Sequence, residues 1–316
     1  FQAEDGIRDC LLSRGLGDVY KRQADNDAVM ASYSLGISLN TSFTGEDSLD
    51  IAIDAGNAPA GVAEFDGNTN GDSLKVDGVS YTFPLGDKTT VIAGIDTDGS
   101  ALFTTACAYG GPSAMLDDCA NVNAGITGGG ATVGAAYDFG TGFTAAVGAQ
   151  TTESAVFTDE SMDAYALNAA YTADTYGVSL TYGVVESSST EEDTFTAFNA
   201  YYLPEGALPS ISVGYELGDI GGAASTVDEK TSFFVGLSWD EVGPGTAGIA
   251  AGHSSTVEGS DEEYQYEAYY SYPINDCMTV TPLIFTKDNA TSGKDDSTGV
   301  MAVSYTHLTL PTKRIV

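Results

Sequence analysis

Basic side chains are scarce: 11 Lys+Arg stand against 45 Asp+Glu in 316 residues, a formal net charge of -34. Phosphate contacts need Lys and Arg, so this balance excludes a generic nucleic-acid binder. Long apolar runs are missing too. The longest uncharged stretch, Cys119 to Tyr137, is rich in Gly and Asn, which excludes transmembrane helices. It does not exclude membrane strands, whose alternating pattern leaves mean hydropathy low. His307 lies in the atypical far end, and His253, in a strand-end GHSST setting, reads as a polar wall residue, so neither a Ser–His–acid set nor a Cys/His metal cluster is expected. Carboxylate pairs arise by chance among so many acids, no glycine motif cradles phosphate, and an enzyme is not expected.

What the chain has is 38 Gly, 18 Tyr and 13 Phe, too much aromatic material for a disordered acidic tail. The two ends differ from the rest. Residues 1–23 hold Arg8, Arg14, Lys21 and Arg22, and residues 304–316 hold Lys313 and Arg314. Both strings resemble translated adapter read-through, so they are set apart as non-native segments around a barrel domain at 24–303. That core keeps five Lys and no Arg against 41 acids, a net -36. No export signal is visible, and none is expected where the true start is missing.

Period-two alternation runs through almost the whole interior, the signature of strands with one apolar and one polar face. Ile211, Val213, Tyr215 and Leu217 alternate with Ser212, Gly214 and Glu216, and Tyr176 to Val184 alternates with Gly, Ser and Thr. The pattern predicts strands over 32–43, 48–55, 79–84, 88–96, 131–138, 142–151, 163–172, 175–185, 194–203, 210–217, 230–240, 245–254, 264–272, 277–287 and 297–303. A start near Leu74 for the third is opposed by Asp77-Gly78, which breaks its register.

Short connections (44–47, 85–87, 139–141, 173–174, 204–209, 241–244, 273–276) alternate with longer Gly/Asn/Asp/Ser-rich ones (56–73, 97–130, 152–162, 186–193, 218–229, 255–263, 288–296). A membrane barrel expects this alternation of tight turns on one side and long loops on the other. Aromatics bracket several strands: Tyr33 and Phe43, Tyr165 and Tyr171, Tyr176 and Tyr182, Tyr264 and Tyr272. Such placement suits two interfacial girdles. A soluble sandwich, with two Leu/Ile/Val-rich inner faces, fits less well. The fold class predicted is therefore all-β, a transmembrane antiparallel barrel. Fifteen strands are visible, and strand parity asks for one more upstream, making sixteen, wide enough for an aqueous channel.

Three stretches, LGISLNTSFTGEDSLDIAIDAGN at 35–57, YTFPLGDKTTV at 81–91 and YPINDCMTVTPLIF at 272–285, resemble the cyanobacterial outer-membrane porins of the carbohydrate-selective porin superfamily. The resemblance covers most of 28–303. It implies an outer-membrane channel for small solutes, of a kind often labelled iron-uptake porin. Those porins carry an S-layer-homology domain ahead of the barrel, which is not visible here. Peptidoglycan would be a partner only through such a missing N-terminal domain. The other partners implied are outer-membrane lipid, small solutes and cations, with a homotrimer as the common assembly of porins.

In sixteen-stranded porins the third loop folds into the lumen and sets the constriction. Here that loop is 97–130, the longest, and it contains Cys107 and Cys119. Cys10 lies in the first set-apart segment and Cys277 at a short-turn edge, so a Cys107–Cys119 disulfide is expected in an oxidising setting. Asp96, Asp98, Asp117 and Asp118 flank or lie in the loop. Asp50, Asp54, Asp138, Glu216 and Glu267 fall on polar strand faces. Acids without balancing Arg predict a cation preference in a narrow wet pore, although acids are also the ordinary solvated face of such a protein.

Asp66, Asn68, Asn70 and Asp77 occupy positions 1, 3, 5 and 12 of a calcium-loop spacing with Gly71 at position 6, and Asp72 follows it. The same residues are common loop vocabulary, and flanking helices are absent from the pattern. No cofactor is required by this reading, and calcium is the one candidate ion. The competing function is a calcium-stabilised β-rich surface adhesin without channel activity.

Overall fold

A computed structural model describes residues 10–22, 28–57, 71–112, 116, 118–156, 158, 161–188, 191–221, 228–289 and 296–309, with backbone alone up to residue 31 and from residue 307. Sixteen strands follow in chain order: β1 (Cys10–Arg22), β2 (Ala28–Thr41), β3 (Ser48–Gly56), β4 (Lys75–Pro84), β5 (Thr89–Ile95), β6 (Ala131–Asp138), β7 (Phe143–Thr151) and β8 (Asp163–Thr172), then β9 (Tyr176–Ser188), β10 (Glu191–Tyr202), β11 (Ser210–Asp219), β12 (Glu229–Val242), β13 (Gly245–Val257), β14 (Gln265–Asn275), β15 (Met278–Lys287) and β16 (Ser297–Thr309). Each is antiparallel to its sequence neighbours, and β1 pairs with both β2 and β16 to close the barrel. Closure leaves no unpaired strand edge, a requirement for sheet inside lipid. Both ends of the barrel chain sit at the short-turn rim.

Three details differ from the sequence reading. The place kept for an upstream strand is taken by Cys10–Arg22, from the segment set apart, and β16 runs on through Thr309. The long loop expected at 186–193 is mostly ladder, with Ser188 paired to Glu191. Backbone hydrogen bonds continue there without an apolar side-chain pattern to mark them. Finally, β4 does begin at Lys75. Asp77 is the extra residue of a bulge, because Ala52 faces Gly78 while Ile53 faces Val76.

The faces are inverted relative to a water-soluble sheet. Along β11, Ser210, Ser212, Gly214, Glu216 and Gly218 are buried, and Ile211, Val213, Tyr215 and Leu217 are exposed. Along β8, Ala164, Ala166, Asn168 and Ala170 turn inward, whereas Tyr165 and Leu167 turn outward, Leu167 with 56% of its surface open. Leaving such side chains in water forfeits roughly 1.5–3 kcal/mol each. A hydrocarbon surround restores that loss, so lipid is the solvent this outer face is made for. The short-turn rim carries contiguous aromatic contacts. Tyr81 touches Phe43 and Phe83 (ring centroids 6.1 and 5.6 Å), and Tyr171 touches Phe143 and Tyr176 (4.6 and 5.9 Å). This is a girdle at one membrane interface.

The tight turns are chemically fixed. Gly86 (φ +77°) supplies a left-handed residue that a Cβ would strain. In the turn before β3, Asp47 Oδ1 accepts from the Ser42 and Thr44 hydroxyls and from the Phe43 and Thr44 N–H groups, and Oδ2 accepts from Tyr81 O–H at 2.6 Å.

Candidate functional site

Between β5 and β6, the described residues of 96–130 turn into the barrel and lie against its inner wall. The first pass is an extended ribbon. The N–H groups of Thr104, Ala106 and Ala108, two residues apart and so on one side of an extended chain, donate to Asn168 Oδ1 of β8 (3.0 Å), Ser179 Oγ of β9 (2.9 Å) and Ser212 Oγ of β11 (2.8 Å). Polar inward positions on three strands therefore satisfy backbone groups that would otherwise be buried unpaired. At its far end Tyr109 packs its ring on Phe234 and Tyr269 (centroids 5.4 and 5.7 Å) and donates its hydroxyl to Glu267 Oε1 at 2.5 Å.

The return pass runs through Cys119 to Ile126. Asn199 Nδ2 of β10 donates to the Cys119 carbonyl at 2.6 Å. Glu216 of β11 accepts from the N–H groups of Asn123 and Ala124 (both 2.8 Å) and from Asn123 Nδ2 (2.6 Å). Asn123 Nδ2 also reaches Ser255 Oγ of β13 at 3.0 Å. Ile126 lies against Ala164 and Ala166. Contact is close enough that two wall positions have no room for a side chain: a Cβ on Gly148 would overlap the Gly99 carbonyl, and one on Gly214 the Cys119 carbonyl. An apolar cluster of Tyr109, Leu116, Phe234, Tyr269, Leu283 and Val303 seals the loop to the β12–β16 side.

Cys107 and Cys119 join the two passes as a disulfide, Cα–Cα 6.4 Å apart. Cys277 is free and exposed at the turn before β15. The expected lumen acids divide. Glu216 (1% exposed) and Glu267 (4%) point inward but end beneath the loop, on its donors. Asp50 lies half-buried on β3, held by Asn40 Nδ2 (2.5 Å) and Ser48 Oγ (2.6 Å), and Asp54 follows four residues on, opposite Lys75 of β4. Asp96 and Asp98 are exposed at the loop's root, Asp118 is partly buried within it, and Asp117 lies outside the described residues. Asp138 caps its own turn by accepting from Gly140 N–H at 2.7 Å. Among the described residues, these carboxylates are thus distributed over β3, β6, β11, β14 and the loop.

Of the calcium-loop positions, Asp66, Asn68 and Asn70 lie outside the described residues. Asp72 accepts from Tyr33 O–H at 2.7 Å, and exposed Asp77 is the bulged residue of β4. Sequence reasoning did not single out the anchors Tyr109, Asn123, Asn168, Ser179, Asn199 and Ser212. One signal for them was available: Gly148 and Gly214 interrupt strand interiors, where glycine marks a close backbone approach.

Comparison with solved structures places this closed barrel among known folds. The chain is similar to OprB of Pseudomonas putida in its high-pH structure, at 11% identity and TM-score 0.68, covering 96% of this chain and 94% of that one. It is similar to a doubly substituted mutant of Rh. blastica porin, at 12% identity and TM-score 0.61, covering 94% and 99%. It is also similar to the loop L8 deletion mutant of OmpT, an outer-membrane protein of Vibrio cholerae, at 10% identity and TM-score 0.62, covering 94% and 98%. The fold is that of the outer-membrane porins. No protein-family profile matches the chain, and no curated protein matches it in sequence. This porin fold departs from a bare pore in one respect: its inward loop is held by strand-borne polar side chains, an apolar cluster and a covalent link together.

Proposed function

We propose that this porin-fold chain is a passive diffusion channel for small hydrophilic solutes and ions in the outer membrane of a Gram-negative-type cell. The observation that carries this reading is the inverted barrel with a loop folded and anchored inside it. No chemistry on a substrate is needed, because passage is set by the space the loop leaves and by the field of its lining. Cations are the favoured ions, given 45 acids against 11 basic residues and half-buried Asp50 on an inner wall position. The resemblance at 35–57, 81–91 and 272–285 supports sugars or iron species as further cargo of a cyanobacterial-type porin. Assembly as a homotrimer accords with the same reading.

The test is planar-bilayer recording of the refolded chain. Stepwise conductance is expected, with a reversal potential in a salt gradient on the cation side. Absence of steps overturns the channel, and an anion-side potential overturns the ion preference.

A further inference from the structure

The two inward carboxylates that look most like pore-lining acids do a different job. Glu216 of β11 spends both oxygens on the return pass of the loop, taking two consecutive backbone N–H groups and the Asn123 side chain, while Ser232 Oγ of β12 reaches Oε1 at 3.4 Å. Ser232 Oγ in turn accepts from the N–H of Ser255, whose own hydroxyl takes Asn123 Nδ2 at 3.0 Å. Ser255 has a positive φ of 51° and lies at the register shift between β12 and β13. Three neighbouring strands and the loop thus share one buried polar network. At the other end, Glu267 of β14 takes the Tyr109 hydroxyl, and that ring is wedged between Phe234 and Tyr269.

The geometry points to Glu216 and Glu267 as positioning residues: they set how far the loop stands from the open wall, and hence pore size, rather than the charge preference of the pathway. This rests on the channel reading above and deepens it. The physical reason is location. Both residues are more than nine-tenths buried, and their carboxylate oxygens end on donors of the loop, so a passing ion meets the loop before the acid. Charge-assisted hydrogen bonds are roughly twice as strong as neutral ones, which suits an anchor. Asp50, half-buried on β3 among Asn40 and Ser48, is the contrasting case, an acid not covered by the ribbon's anchors.

The experiment compares the full chain with E216Q, N123A, E267Q, Y109F and D50N in planar bilayers, reading conductance, open-level noise and reversal potential. Heat-modifiable gel mobility checks that each variant folds. A Gln at 216 cannot accept from all of the Asn123 and Ala124 donors, and N123A removes the side-chain Nδ2 donor while leaving the acid intact. Both should raise conductance and noise at the wild-type reversal potential, as should E267Q and Y109F. Their pairs E216Q/N123A and E267Q/Y109F should be non-additive, since the two members of each pair share a contact. D50N should move the reversal potential towards zero. The assignment is overturned if E216Q or E267Q shifts the reversal potential at unchanged conductance, or if all four loop variants conduct as wild type. Should E216Q or E267Q not fold, N123A and Y109F carry the same test with the carboxylates intact. A silent wild-type chain overturns the channel reading itself, an outcome distinct from either.

Discussion

Tyr109 and Glu267, separated by 158 positions in sequence, meet inside the barrel through a 2.5 Å hydroxyl–carboxylate hydrogen bond. Neither would be found by reading around the other. Y109F keeps the ring between Phe234 and Tyr269 but leaves Glu267 short of a donor. A hydrogen bond to a charged group contributes about 1.5–3 kcal/mol. The variant should therefore lose about that much stability, read as a lower temperature for the heat-modifiable mobility shift. An unchanged transition would mean the bond does not hold the loop.

Gly214 bears on the same loop from beneath. A Cβ there would overlap the Cys119 carbonyl, which Asn199 also engages. G214A should cost about 1–3 kcal/mol through overpacking and alter conductance together with stability. G110A is the control, because nothing lies within 4 Å of a Cβ at that exposed position. Equal behaviour of the two variants in thermal unfolding and bilayer recording would contradict the packing described.

Removing the disulfide frees a loop with eleven residues between its cysteines. Closing such a loop stabilises by on the order of 3 kcal/mol, so C107S/C119S should unfold more readily and conduct with a noisier open level. On the folded, unreduced protein, a maleimide should modify Cys277 and spare Cys107 and Cys119, as read by peptide mass. Alkylation of all three without reductant would show the bridge to be absent.

Asp47 makes stability depend on pH. Hydrogen bonds from Ser42, Tyr81 and Thr44 hold its carboxyl well below the ordinary carboxylate range. The unfolded chain therefore binds a proton at Asp47 more readily than the folded one. The contribution is fully present above the unfolded value of about 3.9 and is lost as pH falls below it. Thermal midpoints measured from about pH 5 downward should drop less steeply in D47N than in wild type. Identical slopes would remove Asp47 from the acid response.

On the outer face, Leu167 sits mid-strand in β8 with 56% of its surface open. L167R should cost about 2–4 kcal/mol in a bilayer if this surface contacts lipid near the midplane. Urea titration in vesicles measures it, and a neutral result would mean that Leu167 faces water.

How much of this was legible beforehand differs by element. Alternation at 210–217 placed Ser212 and Glu216 on one face and Tyr215 and Leu217 on the other, because a strand's side-chain period is two whatever the fold. Spacing of short and long connections then separated the two rims. The ladder through Ser188 and Glu191 was missed, since main-chain pairing there has no apolar signal, and so was the strand role of Cys10–Arg22, whose composition differs from the rest. Periodicity assigns Glu216 and Glu267 to the inner face, but it cannot say what lies over that face. That was decided by tertiary structure alone. Loop 96–130 returns across the wall, and the polar groups it buries must find partners on strands up to 158 positions away. Local sequence determined which side chains look inward, and only the folded loop decided which of them hold it.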